Sequence, residues 1–159
     1  MTSMMSVPQS GAHYRRPEHT QTNLWHNSAM PRHRHRASPS TLAEHLRRMR
    51  SEFPNIRPFE EEDDHWRNDG LDALQANQLH SAEQTFKKLV LAQPEHFDGY
   101  YGLAQVYQRR RQLDLAILFA DEAIRLGQVF IDDGTLDPST MTEMKVFRLQ
   151  LGTRSGPPP

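Results

Sequence analysis

The sequence predicts an all-α fold in which short helical hairpins stack on one another, and three observations lead to this prediction. The segment 66–126 repeats its residue types after 34 residues, a period typical of stacked helical hairpins. Within each half, apolar residues recur at steps of three and four, as expected for one buried face of a helix. Residues that begin or end helices lie at the edges of these segments. The positions that recur include Trp66 with Tyr100, Leu79 with Leu113, Val90 with Ile124, Gly70 with Ala104, and Ala82 with Ala116.

A first helix is predicted at residues 42–52, within a region of capping helix and connector that covers residues 40–58. Thr41 followed by Glu44 is a capping-box pattern, which satisfies two free backbone N–H groups at a helix start. Pro54 ends this helix. Its apolar stripe is narrow, so we expect it to lie on the exposed side of the first hairpin as an N-terminal cap.

Four repeat helices are predicted at about 61–77, 80–92, 97–110 and 113–126. The run of five acidic residues at 60–64 lies where negative charge interacts favourably with a helix dipole. Pro94 ends the first hairpin, and Gly127 is predicted to cap the C-terminus of the second. The following residues, 127–137, are predicted to form a loop with a turn at Asp133-Gly134.

A last helix is predicted to begin at Asp137-Pro138, an N-cap followed by proline in the first helical position. It departs from the 34-residue phase and is therefore interpreted as a C-terminal cap helix that ends at Gly152. The helical domain then covers residues 59–152, and residues 153–159 are predicted to be a disordered tail.

The repeated segment resembles the tetratricopeptide repeat family, with two copies over about residues 63–127. The family pattern is an aromatic residue, Leu-Gly, Tyr, Ala-x-x-x-Phe and a closing Pro. The first copy matches at Trp66, Gly70, Ala82, Phe86 and Pro94, and the second at Tyr100, Leu103, Ala104, Tyr107 and Ala116. The departures are Asp69 and Ala73 in the first copy, with Ala120 and a missing closing Pro in the second.

The resemblance implies that the chain binds proteins. In this family the first helix of each hairpin lines a concave groove, which usually holds an extended peptide or a partner helix. The groove positions carried onto this sequence are Arg67, Leu71, Leu74 and Gln75 in one copy, and Tyr101, Gln105, Gln108 and Arg109 in the other. A second interpretation is that Tyr101 packs on Arg67 and the last helix fills the groove. The carboxylate clamp of chaperone-binding members is not expected, because its positions hold Arg67, Leu71, Asp98 and Gly102.

Residues 1–39 are predicted to be a disordered basic arm, because they contain few branched aliphatic residues to bury. Residues 1–50 have a net charge of +6 and the remainder a net charge of −7. We expect Trp25 to anchor the arm on a protein partner with an acidic surface, with Arg32, Arg34 and Arg36 as charge contacts. The alternative is a nucleic-acid-associated protein whose arm contacts phosphates.

Composition and motifs predict no enzyme. Cysteine is absent, so disulfides and thiolate chemistry are not expected. Neither a glycine-rich phosphate loop nor a Gly-x-Ser-x-Gly motif occurs, and no catalytic residue, cofactor or metal site is predicted. Nor does the sequence contain an apolar run long enough for a membrane span.

The sequence therefore predicts a non-enzymatic interaction adaptor or an accessory subunit of a larger assembly, with homo-oligomerisation as one way to extend a short groove. A cytoplasmic location is expected, or a mitochondrial or other organellar one if the Arg-rich N-terminus is a transit peptide.

Overall fold

The computed structural model describes residues 41–59 and 64–153, and every regular element within them is a helix. The predicted all-α class is confirmed for this part of the chain. The predicted arm at 1–39, the acidic residues 60–63 and the tail residues 154–159 lie outside the described residues, whereas Thr153, predicted to begin the tail, is helical. The helices are α1 Leu42–Glu52, α2 Asp64–Gln75, α3 Leu79–Ala92, α4 Phe97–Arg109, α5 Leu113–Asp132 and α6 Pro138–Thr153.

From α2 onwards, each helix packs against the next one in the chain, and α2 also contacts α4. Ala82 and Ala116 are completely buried where this packing is tight, as predicted from their small size and their recurrence. Large side chains fill the remaining space, and burying each contributes on the order of 1.5–3 kcal/mol. The largest fully buried ones are Tyr100, Phe86, Phe119, Leu89, Leu103, Met144 and Leu151.

The 34-residue period reappears in the backbone of the two connections 76–78 and 110–112. Asn77 and Arg111 have positive φ values of 57° and 60°, the left-handed conformation that ends many helices. The N–H of Gln78 donates to the carbonyl of Ala73 at 2.8 Å, and the N–H of Gln112 donates to that of Tyr107 at 2.9 Å. Two connections with the same hydrogen bonds at the same spacing are a structural repeat, which the sequence pattern alone did not reveal at these residues.

Helix α1 has the predicted bounds and capping box. The backbone N–H of Thr41 donates to Glu44 Oε2 at 3.0 Å, and the N–H of Glu44 donates to Thr41 Oγ1 at 3.4 Å. The sequence predicted that α1 caps the first hairpin, but the structure places it differently. It packs on α3, and the ring of His45 contacts Phe119 of α5 edge-on with centroids 5.8 Å apart, so α1 spans both hairpins.

Helix α5 continues six residues beyond its predicted end, so Gly127 does not cap it. Gly127 is buried inside the helix, where a Cβ would lie 2.8 Å from Met144 Cε of α6. The glycine is therefore a point of close approach between α5 and α6. The helix ends instead at the predicted turn, where Gly134 has φ 77° and its N–H donates to Ile131 O at 3.1 Å.

Helix α6 begins at Pro138, as predicted. Asp137 Oδ1 accepts a hydrogen bond from the Ser139 N–H at 2.7 Å. Hydrogen bonding by the Ser139 side chain and backbone holds the pKa of Asp137 below its ordinary value. Met141, Met144 and Leu151 turn towards the core, so α6 covers α5. Its opposite face exposes Val146 and Leu149.

Candidate functional site

An open cleft lies where α2, α4 and α6 meet. Its volume is about 300 Å³. Four of the predicted groove residues line this cleft. They come from α2 and α4 and are Arg67, Leu71, Tyr101 and Gln105. The remaining described lining residues are Phe86, Asp98, Gly102 and Glu143. The structure therefore brings half of the predicted groove positions together at one site.

Phe86 and two glycines build the floor of the cleft. The Phe86 ring lies on the Cα atoms of Gly70 and Gly102, where a Cβ at either position would overlap it. Because α2 and α4 have no side chain at these points, they can approach the same ring. The Phe86 ring fills the space that a side chain at Gly102 would take, and Gly102 itself is buried.

An ion pair between neighbouring hairpins forms one wall. Arg67 Nε lies 2.9 Å from Asp98 Oδ2, with the Arg67 side chain about half exposed. His96 Nδ1 lies 3.4 Å from the same carboxylate oxygen. The Asp98 carboxylate is therefore paired within the protein.

Tyr101 connects α4 to α6 and forms the opposite wall. Its hydroxyl donates to Glu143 Oε1 at 3.2 Å. Its ring meets Phe147 edge-on, with centroids 5.4 Å apart and ring planes at 86°. Burial and then the nearby Glu143 carboxylate raise the pKa of Tyr101 to about 12, so the phenol remains a neutral donor at neutral pH.

These contacts can be compared with the two interpretations of the groove. Tyr101 packs on Phe147 of α6, Arg67 and Tyr101 both line the cleft, and α6 bounds the groove without filling it. The open space that remains is bounded by both hairpins and by the last helix.

The other predicted groove positions lie elsewhere. Leu74 is buried in the core with 3% of its surface exposed, so its side chain cannot meet a partner. Arg109 donates from Nη1 to the carbonyl of Leu74, which ties the end of α4 to the end of α2. Gln75 is exposed at the end of α2, outside the cleft. Gln108 lines a separate open depression of about 680 Å³, together with Arg109, Arg111 and Leu113.

The prediction missed Glu143, because α6 lies outside the 34-residue phase. Only the packing of α6 on α5 brings this carboxylate to Tyr101. Predicting Glu143 from the sequence would have required knowing which face of α6 turns towards the groove. Trp25, Arg32, Arg34 and Arg36 lie outside the described residues.

A second polar cluster lies between α3 and α4, and its charges are used internally. Glu83 is 8% exposed and accepts hydrogen bonds from Tyr107 Oη at 3.0 Å and Arg110 Nη1 at 2.5 Å. Lys87 Nζ lies between Glu83 and Glu52, at 3.1 and 3.0 Å. Burial alone would raise the pKa of Glu83, but Lys87, Tyr107 and Arg110 outweigh it and hold that pKa below its ordinary value. This arrangement fastens α1, α3 and α4 together.

The described part of the chain contains no group of three or more His, Asp or Glu side chains arranged to hold a metal ion. None of the helices in that part has both the length and the apolar character needed to cross a membrane. No protein-family model matches the chain, and comparisons with curated proteins and with solved structures give no significant match either.

Proposed function

We propose that the protein is a non-enzymatic interaction module that binds a segment of a protein partner in the cleft between α2, α4 and α6. The observation that carries this proposal is the open cleft itself. Tyr101, Arg67, Leu71 and Glu143 surround a floor formed by the Phe86 ring and the Gly102 backbone. Tyrosine and arginine are the residue types that most often contribute binding energy at interfaces.

The helical arrangement supports the same proposal. Two pairs of helices with matching connections 34 residues apart form a short tetratricopeptide-like array, in which α2 and α4 are the first helices of successive hairpins. Helix α6 then takes the place of the first helix of a further hairpin, because it packs on α5 as α4 packs on α3. A partner segment in the cleft would contact all three.

A binding comparison tests the proposal. The full chain, the double variant Arg67→Ala/Tyr101→Ala, and the control double variant Arg125→Ala/Val129→Ala are each used to capture partners from the source cells. Arg125 and Val129 lie on the exposed surface of α5, with 63% of the Arg125 side chain and 56% of Val129 exposed. Circular dichroism first establishes that all three proteins are folded.

The expected result is a partner, identified by mass spectrometry and then purified, that binds the parent and the control but loses affinity for the cleft variant. The loss should be at least about thirtyfold, since removing one interface hot spot costs about 2 kcal/mol or more. A partner that binds the folded cleft variant as tightly as the parent would contradict the proposal.

A further inference from the structure

We propose that the cleft selects its partner segment by a cationic side chain, a lysine or an arginine, and that Glu143 receives this charge. The inference rests on the proposed function of the cleft as a partner-binding site. It adds the chemical class of the partner, a basic peptide segment.

Glu143 brings a negative charge to the cleft that the described residues do not neutralise. Its Oε1 atom accepts the hydrogen bond of the Tyr101 hydroxyl, a neutral donor, and no cation of the described chain lies within ion-pairing distance. A carboxylate has about four acceptor sites on its two oxygens, so most of the hydrogen-bonding capacity of Glu143 remains for a ligand.

The charged groups around Glu143 are engaged with one another. Arg67 is paired with Asp98 at 2.9 Å. Arg148, five residues beyond Glu143 in α6, donates from Nε and Nη2 to the two oxygens of Asp121 on α5, at 2.6 and 3.2 Å. Lys145 lies two residues from Glu143, and residues at that spacing do not face each other on a helix. The charge that dominates the open end of the cleft is therefore that of Glu143.

The walls of the cleft suit the apolar stem of a long cationic side chain. The rings of Tyr101 and Phe86 and the side chain of Leu71 line it. Lysine and arginine lay their methylene groups along such surfaces while the charged end reaches a polar group. A cation close to an aromatic face such as that of Tyr101 gains further attraction from the ring. The volume of about 300 Å³ is at the lower end for ligand clefts, appropriate for one inserted side chain rather than a folded surface.

An acidic segment would fit poorly. It would meet the charge of Glu143, while Arg67, the one cation among the described residues that line the cleft, is already paired with Asp98. Like charges placed together at an interface oppose binding and give specificity against such partners.

Capped tripeptides provide the first test. Ac-Ala-Arg-Ala-amide, the same peptide with citrulline, which is nearly isosteric and uncharged, and the same peptide with glutamate are titrated into the ¹⁵N-labelled full chain. The arginine peptide should give saturable amide shifts at Tyr101, Gly102 and Gln105, and the other two should not. Equal responses to arginine and citrulline would overturn the proposal, as would the absence of saturable shifts up to about 10 mM peptide, an affinity too weak for selection.

Two single variants show whether Glu143 is the receiving group. Glu143→Gln keeps an acceptor for the Tyr101 hydroxyl and removes the charge, while Asp72→Asn makes the same charge change at an exposed site on α2 outside the cleft. We expect Glu143→Gln to weaken the arginine peptide about tenfold, the factor expected for one charge-assisted hydrogen bond, and Asp72→Asn to leave it unchanged. Equal affinities for the parent and Glu143→Gln would contradict the proposal.

The partner obtained in the capture experiment separates this inference from the proposed function. If Arg67→Ala/Tyr101→Ala loses the partner but Glu143→Gln retains full affinity, the cleft is a binding site and the cationic selection is wrong. If both variants lose the partner, and replacing one Lys or Arg of the partner segment by Gln has the same effect, the proposed function and the cationic selection are both supported.

Discussion

The Phe86 ring occupies the space left by the missing side chain of Gly70. A Cβ at Gly70 would lie 2.6 Å from Phe86 Cε1, closer than real Cβ contacts allow. The residues 34 positions further on are Ala104 and Ala120, both buried, and there the extra methyl group is accompanied by a much smaller partner. The first hairpin therefore combines no side chain with a large ring at these two positions, whereas the second hairpin has a small side chain at both.

This relationship predicts a change of sign in a double-mutant cycle. Gly70→Ala in the parent should be destabilising, because overpacking costs about 1–3 kcal/mol and exceeds the roughly 1 kcal/mol that alanine gains over glycine in a helix. In a Phe86→Ala background the overlap is gone, so Gly70→Ala should be stabilising by up to about 1 kcal/mol.

Urea unfolding monitored by circular dichroism measures all four proteins of this cycle. Phe86→Ala alone should cost about 3–5 kcal/mol, so the cycle is measured at low temperature, where the variants remain folded. Additive effects of the two substitutions would mean that the ring and the glycine do not share this space.

Gly127 and Gly134 should respond oppositely to alanine. At Gly127 the new methyl group overlaps the ends of the flexible Met144 and Met141 side chains and makes an ordinary contact with Leu136, and a position inside a helix favours alanine over glycine by about 1 kcal/mol. We therefore expect Gly127→Ala to be neutral or stabilising. At Gly134 the φ of 77° disfavours any Cβ, so Gly134→Ala should cost about 1–2 kcal/mol although no atom lies close to it.

Melting temperatures of the two glycine variants, compared with the parent, test this prediction. A larger loss at Gly127 than at Gly134 would mean that Met141 and Met144 cannot move to accommodate a methyl group at Gly127.

The Glu83 cluster should make stability depend on pH in the acid range. The folded-state pKa of Glu83 lies below its unfolded value, so its contribution is present above the unfolded pKa and is lost as pH falls through the folded pKa. We expect Glu83→Gln to cost about 1–3 kcal/mol at pH 7, because it weakens hydrogen bonds to Lys87, Tyr107 and Arg110. The difference from the parent should shrink from about pH 5 downward.

Denaturant unfolding across this pH range checks the Glu83 prediction, with Glu95→Gln as a matched control at an exposed position. A difference between parent and Glu83→Gln that stays constant between neutral and acid pH would show that the Glu83 carboxylate gains nothing from its neighbours.

The basic arm remains a sequence prediction with its own test. If Trp25 anchors the arm on a partner, its fluorescence should shift to shorter wavelength in the complex, and Arg32, Arg34 and Arg36 should make the affinity fall with salt. The alternative function predicts that residues 1–39 retain the protein on a polyanion, with a steep salt dependence. A Trp25 that stays exposed in the complex, with affinity unaffected by deletion of residues 1–39, would reduce the arm to a tether.

The sequence by itself determined the helical class and most of the helix bounds. These depend on local chemistry, since a capping box at Thr41, a Pro at position 138 and apolar steps of three and four act within one or two turns of helix. The spacing of 34 residues also determined which small residues, such as Ala82 and Ala116, are buried. Four of the eight groove positions that the tetratricopeptide resemblance implied also line the cleft.

Only the tertiary structure decided how the helices outside the repeat are placed. A glycine followed by a polar segment looks the same in sequence whether it ends a helix or lies under a neighbouring one, so the role of Gly127 depended on α6 packing against it. In the same way, α1 spans two hairpins and α6 brings Glu143 to Tyr101 across 42 residues of chain. Such contacts arise from which apolar faces remain uncovered after the hairpins have formed, and a periodic pattern carries no information about residues that lie outside its period.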